Sequence, residues 1–283
     1  MRIKLIILPL VFGIFFLSAC KRNAIKLDFT NAKGEVPQLG NLIFRFSSPM
    51  VKDSMLNVWD SADYISFEPK IAGKFRWESP DQLVFSPSQP LGTATSYKAK
   101  IKSALLKFSK YNSVKGGDDI SFHTPDLALD NLQMIWMLQN ESTTSAVPQV
   151  ELFFNYRVNP ADLKDKLSVE FGGNKMDYTM VSASPDNKIS ILINGLKQED
   201  KDYDAKIIIE KGLKPESGTN TTTDPITASL SVPSPFVLSI QNMESEHDGT
   251  EGTVKITTSQ QLSGENLKSF IKFDPDFGYT VEL

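Results

Sequence analysis

Few residues in this chain combine types and spacings that could do chemistry. Histidine occurs twice, as His123 and His247, and cysteine once, as Cys20. His123 falls at the end of an expected strand, and His247 lies in the acidic loop ESEHDGTEG at 244–252. Neither has a partner at the spacing of a metal cage or a catalytic triad. Asp200, Asp202 and Asp204 have the D-x-D-x-D spacing that opens a calcium loop. However, the position that needs Gly is Ala205, and the twelfth is Lys211 instead of Glu. Asp118-Asp119 after Gly116-Gly117 reads as a turn. No G-x-S-x-G, H-E-x-x-H or G-x-x-x-x-G-K-[ST] motif occurs. The expectation is a non-enzymatic chain with no catalytic residue, no cofactor and no metal.

Cys20 is informative by position. Arg2 and Lys4 form a positive n-region, Leu5–Leu17 an apolar run, and the run ends in Leu17-Ser18-Ala19-Cys20. The run carries Pro9 and Gly13 and is shorter than the roughly 20 apolar residues of a membrane span. The tetrapeptide resembles a bacterial lipobox, which implies cleavage before Cys20 and a diacylglycerol on its thiol. Each buried methylene contributes about 0.8 kcal/mol, so two or three acyl chains hold a protein at a membrane stably. Lys21 follows, not the Asp that retains some lipoproteins at the inner membrane, which favours the outer membrane of the cell envelope.

With its lone Cys assigned to lipid, the chain has no intramolecular disulfide and must rely on its apolar cores. It is 40% hydrophobic and 23% charged, enough to build them. Removing residues 1–19 leaves 28 Lys+Arg against 34 Asp+Glu, a charge near −6. An acidic surface argues against nucleic acid as a partner, since phosphate binding needs clustered positive charge.

The elements that would carry any function are strands. Leu42, Phe44 and Phe46 alternate with polar or outward residues; Tyr64–Phe67, Leu83–Phe85, Tyr97–Ile101 and Ile120–His123 follow, separated by Pro, Gly, Ser and Asp. Period-two runs broken at such intervals predict an all-β sandwich. The pattern then recurs. NLIFRFSSPM (41–50) leads to YISFEP (64–69), VELFFNYRVNP (150–160) to ADLKDKLSVEF (161–171), and TVKITTSQQLS (253–263) to GENLKSFIKFDP (264–275). Likewise SYKAKI (96–101) matches DYDAKIII (202–209). Self-similarity at about 105 residues predicts tandem immunoglobulin-like modules. Residues 1–19 are the expected signal peptide, 20–25 the lipidated Cys and tether, 26–125 module one and 126–233 module two. Residues 234–283 are module three, expected to be truncated. Residues 130–140 are expected as the first strand of module two, not a helix. Trp59, Trp77 and Trp136 could stack on sugar if exposed, but the pattern around Trp77 favours core packing.

The first module carries a family resemblance. FRFSSPM (44–50) and ISFEPKIAGKFRWESPDQLVFSPSQPLGTATSYKAKI (65–101) resemble a bacterial immunoglobulin-like module, and tandem copies behind a lipobox resemble the N-terminal region of bacterial alpha-2-macroglobulins. That resemblance implies a large envelope protease trap with a bait segment and a Cys–Gln thioester. This chain departs from the pattern, because it contains no C-x-E-Q motif and no identifiable bait segment. Its implied role is a membrane-anchored scaffold, with the membrane, later modules of the same chain and proteases as partners. A surface adhesin or glycan-binding lipoprotein built on the same modules is the alternative, and an enzyme with its catalytic domain downstream is a third.

Overall fold

Residues 23–138, 146–262 and 267–283 are described in the computed structural model. The signal segment, Leu17, Ser18, Ala19 and Cys20 lie outside the described residues. Contacts divide the chain into two compact units, one of Met1–Ala32, Asn41–Ser88 and Lys98–Ile120, the other of Lys33–Gly40, Gln89–Tyr97 and Ser121–Leu283.

The first repeat supplies β1 (Ala24–Thr30), β2 (Gly34–Glu35), β3 (Leu42–Phe46), β4 (Trp59–Asp60), β5 (Ile65–Glu68), β6 (Gly73–Ser79), β7 (Gln82–Pro87), β8 (Ser96–Ile101), β9 (Ser113–Lys115) and β10 (Ile120–His123). Within the first unit, a six-stranded sheet runs β4-β6-β7-β3-β1-β9. Leu42, Phe44 and Phe46 alternate inward on β3 and are buried, as their period predicts. β5 pairs antiparallel with β8 from Ile65↔Ile101 to Glu68↔Lys98. Phe67 of β5 meets Phe85 of β7 with ring centroids 4.7 Å apart, so two sheets share one apolar layer, as in a sandwich. Trp77 is 4% exposed and lies against Phe46 at 6.0 Å. One expectation is corrected here. The tether reading extended to residue 25, but β1 already begins at Ala24, and Ile25 is buried. Ile25, Leu27 and Phe29 alternate with Lys26, Asp28 and Thr30, a strand period that the tether reading overlooked. β1 pairs antiparallel with β3 and parallel with β9.

The second repeat lies wholly in the second unit. It supplies β11 (Leu129–Leu138), β12 (Ala146–Val158), α1 (Pro160–Lys164), β13 (Leu167–Phe171), β14 (Asn174–Met176), β15 (Tyr178–Met180), β16 (Asp186–Ile193), β17 (Tyr203–Ile209) and β18 (Ile226–Val232). Two four-stranded sheets, β11-β12-β16-β15 and β14-β13-β17-β18, enclose one core. Val150, Leu152 and Phe154 of β12 repeat the inward stripe of β3, and all three are buried. Asn159 caps α1, its side chain accepting from the Ala161 amide at 3.0 Å, with Pro160 at the first turn. Residues 130–138 are strand, as the repeat register predicts.

The third repeat gives β19 (Ile240–His247) and β20 (Gly252–Thr258), a two-stranded antiparallel sheet. Of the span 264–275, where the counterpart of β5 and β13 is expected, the described residues 267–275 form no strand. Leu267–Phe270 forms a 3-10 turn, and the residues after it are gathered by an aromatic clasp. Phe273 meets Phe277 at 4.6 Å and Tyr279 at 4.9 Å, and the Tyr279 hydroxyl donates to the Ile271 carbonyl at 2.6 Å. Local ring packing therefore stands where the earlier repeats have a strand ladder.

Candidate functional site

The residues singled out for chemistry do not converge. His123 ends β10 with Nδ1 3.0 Å from the Thr124 carbonyl. His247 ends β19, exposed, with Nδ1 accepting from the Gly249 amide at 2.9 Å. Among the described residues no group of three His, Cys, Asp or Glu could hold a metal ion, and no helix is long and apolar enough to cross a membrane. Asp118 is exposed and pairs loosely with Lys100 at 3.4 Å, a geometry worth little in water.

The D-x-D-x-D segment has a different use from the one its spacing suggests. Asp200 Oδ1 accepts from the Ser234 hydroxyl at 2.8 Å, and Asp202 Oδ1 accepts from the Ser234 amide at 3.0 Å. Ser234 is 3% exposed and sits in the Val232-Pro233-Ser234-Pro235 stretch. Two carboxylates thus fix a linker residue whose proline neighbours offer no amides. Beside them Lys201 pairs with Glu199 at 2.5 Å. That hydrogen bond and its charge hold the Glu199 carboxyl below its usual value and raise Lys201.

Trp136 belongs to the same joint. It is 1% exposed; its indole Nε1 donates to the Pro233 carbonyl at 2.9 Å, and its amide donates to the Ser259 carbonyl at 2.9 Å. Its own carbonyl accepts from the Gln261 amide at 2.8 Å, and the Gln241 side chain reaches the Met134 carbonyl at 3.0 Å. The outer end of β11, still paired with β12 on one side, therefore also holds residues 259–261. A single sequence cannot show this role, because an apolar strand that packs on both ends reads as an ordinary core strand.

Another set of bonds within the second unit joins the 89–97 segment to the 216–222 loop. The Ala94 carbonyl accepts from the Thr219 and Asn220 amides at 3.2 and 2.8 Å. Asn220 Oδ1 accepts from Ser96, and its Nδ2 donates to Asp126 at 3.2 Å. Ala94 has a positive φ of 36°, and Gly218 one of 128°, both unusual for side-chain-bearing residues. A Cβ on Gly218 would collide with the Thr93 carbonyl oxygen. Tyr156 packs nearby. Burial raises its phenol pKa, the Glu35 and Asp126 charges add to this, and a hydrogen bond to the Ala94 backbone opposes it.

The repeats also share a polar device. Tyr97 and Tyr203 are the first inward residues of β8 and β17, each 6% exposed. The Tyr97 hydroxyl accepts from the Gly92 amide at 2.7 Å, and the Tyr203 hydroxyl accepts from the Glu199 amide at 2.7 Å while lying 2.9 Å from the Lys197 carbonyl. In both, a buried ring reaches back to tie the preceding loop.

With strands, joints and tyrosines in place, comparison with known proteins becomes informative. No family model matches the chain. A curated protein of Pasteurella multocida named alpha-2-macroglobulin is 22% identical over 273 residues, covering 90% of this chain and 14% of that protein. One of Rickettsia conorii with the same name is 21% identical over 212 residues, covering 74% of this chain and 10% of that protein. The chain is similar to these two bacterial alpha-2-macroglobulins over most of its own length. It spans about a seventh or less of the length of these curated alpha-2-macroglobulins. Among solved structures, an L,D-transpeptidase of Mycobacterium tuberculosis overlaps with a TM-score of 0.26 and 10% identity, covering 82% of this chain and 76% of that one. Tandem immunoglobulin domains of titin overlap at 0.24 and 8%, covering 70% and 89%. Overlaps at such scores carry no argument; the immunoglobulin-like sandwich rests on the strand order and register above.

Proposed function

We propose that this chain is a membrane-anchored, non-catalytic scaffold of an alpha-2-macroglobulin-type protease trap, without the bait segment or thioester. The match to two alpha-2-macroglobulins over most of the chain carries the reading. The sandwich repeats and the hydrogen-bonded linker at Ser234 support it, since a scaffold needs folded spacers with constrained joints. In this reading modules one and two meet at 125/126, and modules two and three at 233/234. Cys20 carries the lipid, placing the chain at the outer membrane of the cell envelope. β1 begins four residues after Cys20, and an extended residue spans at most about 3.3–3.6 Å, so module one sits within about 15 Å of the lipid. Its partners are the membrane, further modules of the trap and the proteases it captures.

The glycan-binding alternative loses two of its three stacking candidates, because Trp77 and Trp136 are buried, and the exposed third, Trp59, has the Arg76 guanidinium over its ring at 4.7 Å. Metabolic labelling with a palmitate analogue tests the anchor: wild type labels and partitions with membranes, whereas Cys20→Ala does neither. Methylamine incorporation into the native full-length polypeptide, detected with an antibody against residues 26–233, tests the trap. Absence of incorporation, with a mature band no larger than this chain, would reject it.

A further inference from the structure

We propose that the turn carrying Phe108 is a second membrane contact, seating its aromatic and lysine side chains in the headgroup layer of a phospholipid bilayer. This contact rests on the reading of Cys20 as the lipid anchor and adds a protein surface to it. Its place is fixed where the chain enters module one. Asn23 Nδ2 donates to the Lys110 carbonyl at 2.7 Å, and the Asn112 amide donates to the Asn23 carbonyl at 3.0 Å. β9 then runs beside β1 from Ala24↔Ser113. Residues 110–113 are thus fastened to the start of the folded chain. Asn23 lies three residues after Cys20, so an extended tether of at most about 3.6 Å per residue keeps it within about 11 Å of the anchor.

The side chains held there are of the interfacial kind. A 3-10 turn over Ser103–Phe108 buries Leu105 at 1% exposure and leaves Phe108 at 51%. The Ser109 amide donates to the Leu106 carbonyl at 3.0 Å, and the Tyr111 amide donates to the Ser109 hydroxyl at 3.2 Å. Phe108 is therefore held outward by a bonded backbone. Lys107 Nζ lies 5.5 Å from the centre of the Phe108 ring, and Lys110 Nζ 5.5 Å from that of Tyr111. Residues 98–117 contain six Lys and no Asp or Glu, in a chain whose acidic residues outnumber its basic ones. Lys100 and Lys102 are taken by Asp118 and Asp63. Among the described residues, Lys107 and Lys110 are exposed and make no ion pair.

Rings beside free ammonium groups suit a lipid surface. Aromatic side chains settle at the level of the headgroups, and lysine stems lie along apolar surface while their ammonium groups reach the phosphates. Positive charge alone would suit any acidic surface. The short tether commits the partner, because the bilayer is the surface that Cys20 holds against this turn. Anchoring also makes the second contact intramolecular, so a weak one suffices. With lipid and turn both engaged, module one presents a fixed face to the membrane instead of swinging on its tether.

The test uses the chain from Cys20 onward, with that thiol coupled to a maleimide phospholipid in vesicles of phosphatidylethanolamine and phosphatidylglycerol. Its amide exchange is compared with that of the same chain capped at Cys20 and free in solution. Coupling supplies the anchor, so the exchange reads the contact itself. Exchange at 103–112 is expected to slow about fivefold or more on vesicles. Exchange at 58–60 should not change, because β4 and β9 are opposite edges of the six-stranded sheet, about 24 Å apart. Phe108→Asp should remove the protection, and so should Lys107→Glu combined with Lys110→Glu, all at exposed positions. Equal exchange on vesicles and in solution, or equal slowing at 58–60, would overturn the proposal. The same protection in a vesicle-free dimer of the capped chain would assign the turn to a second copy and overturn it too. The two failures read differently. A wild type without palmitate label rejects the anchor and this contact with it, whereas a labelled wild type with unprotected 103–112 rejects the contact alone.

Discussion

The indole of Trp136 and the carbonyl of Pro233 are joined by a 2.9 Å hydrogen bond across 97 residues of chain, and the same tryptophan's backbone is bonded on both sides to residues 259–261. Trp136→Phe keeps an apolar ring but removes the donor. Loss of a buried hydrogen bond with some loss of packing corresponds to about 1–3 kcal/mol. The expected result is a lower denaturation midpoint and faster amide exchange at 259–261. Unchanged exchange there would mean that the tryptophan does not hold the joint.

Tyr203→Phe should lower stability by about 1–2 kcal/mol, because the Glu199 amide loses its acceptor while the ring remains. Tyr97→Phe should do the same through the Gly92 amide. Urea unfolding at a constant slope checks both. A neutral result for either would mean that its loop amide finds water instead.

Gly218→Ala adds a side chain where the backbone is left-handed and the Thr93 carbonyl oxygen is in the way. The expected loss exceeds about 1 kcal/mol, with faster limited proteolysis around 125–126 as the Asn220 bonds to Ala94 and Asp126 open. Wild-type resistance to protease would contradict this.

Tyr64 has its pKa raised to about 12, first by burial and then by its hydrogen bond to Asp60 and the charge of that carboxylate. The hydroxyl donates to Asp60 Oδ2 at 2.5 Å. The unfolded phenol ionises near 10. The folded state therefore favours the neutral form, and this contribution is fully present below pH 10 and lost as pH rises from about 10 to 12. Ultraviolet titration should show a phenol ionising near pH 12 that is absent in Tyr64→Phe, and that variant should lose less stability over the same window.

Much of the architecture is legible in the sequence because it repeats. The stripes of β3 and β12, the Tyr97 and Tyr203 positions and the strand at 129–138 follow from period and register. The start of β1 was hidden by its nearness to the expected lipid anchor, although its alternation was present. Short edge strands such as β2, β4 and β14 have too few residues to show a period. The aspartates at 200 and 202 illustrate a different limit. Their spacing suggested a cation, whereas their partner is a serine 32 or more residues away, a pairing that only the fold creates. Trp59 is similar: it is 45% exposed and lies under the Arg76 guanidinium at 4.7 Å, a cross-strand contact fixed by the Trp59↔Arg76 register.

The parallel pairing of β1 with β9, and of β2 with β10, has a mechanical consequence. Adjacent parallel strands pulled from the start of one and the end of the other slide lengthwise. Their cross-strand bonds are then strained together instead of opening one by one from an end. The first repeat is therefore built to withstand tension along the chain, the direction in which a protein held at its N-terminal side and pulled from beyond residue 125 would be loaded.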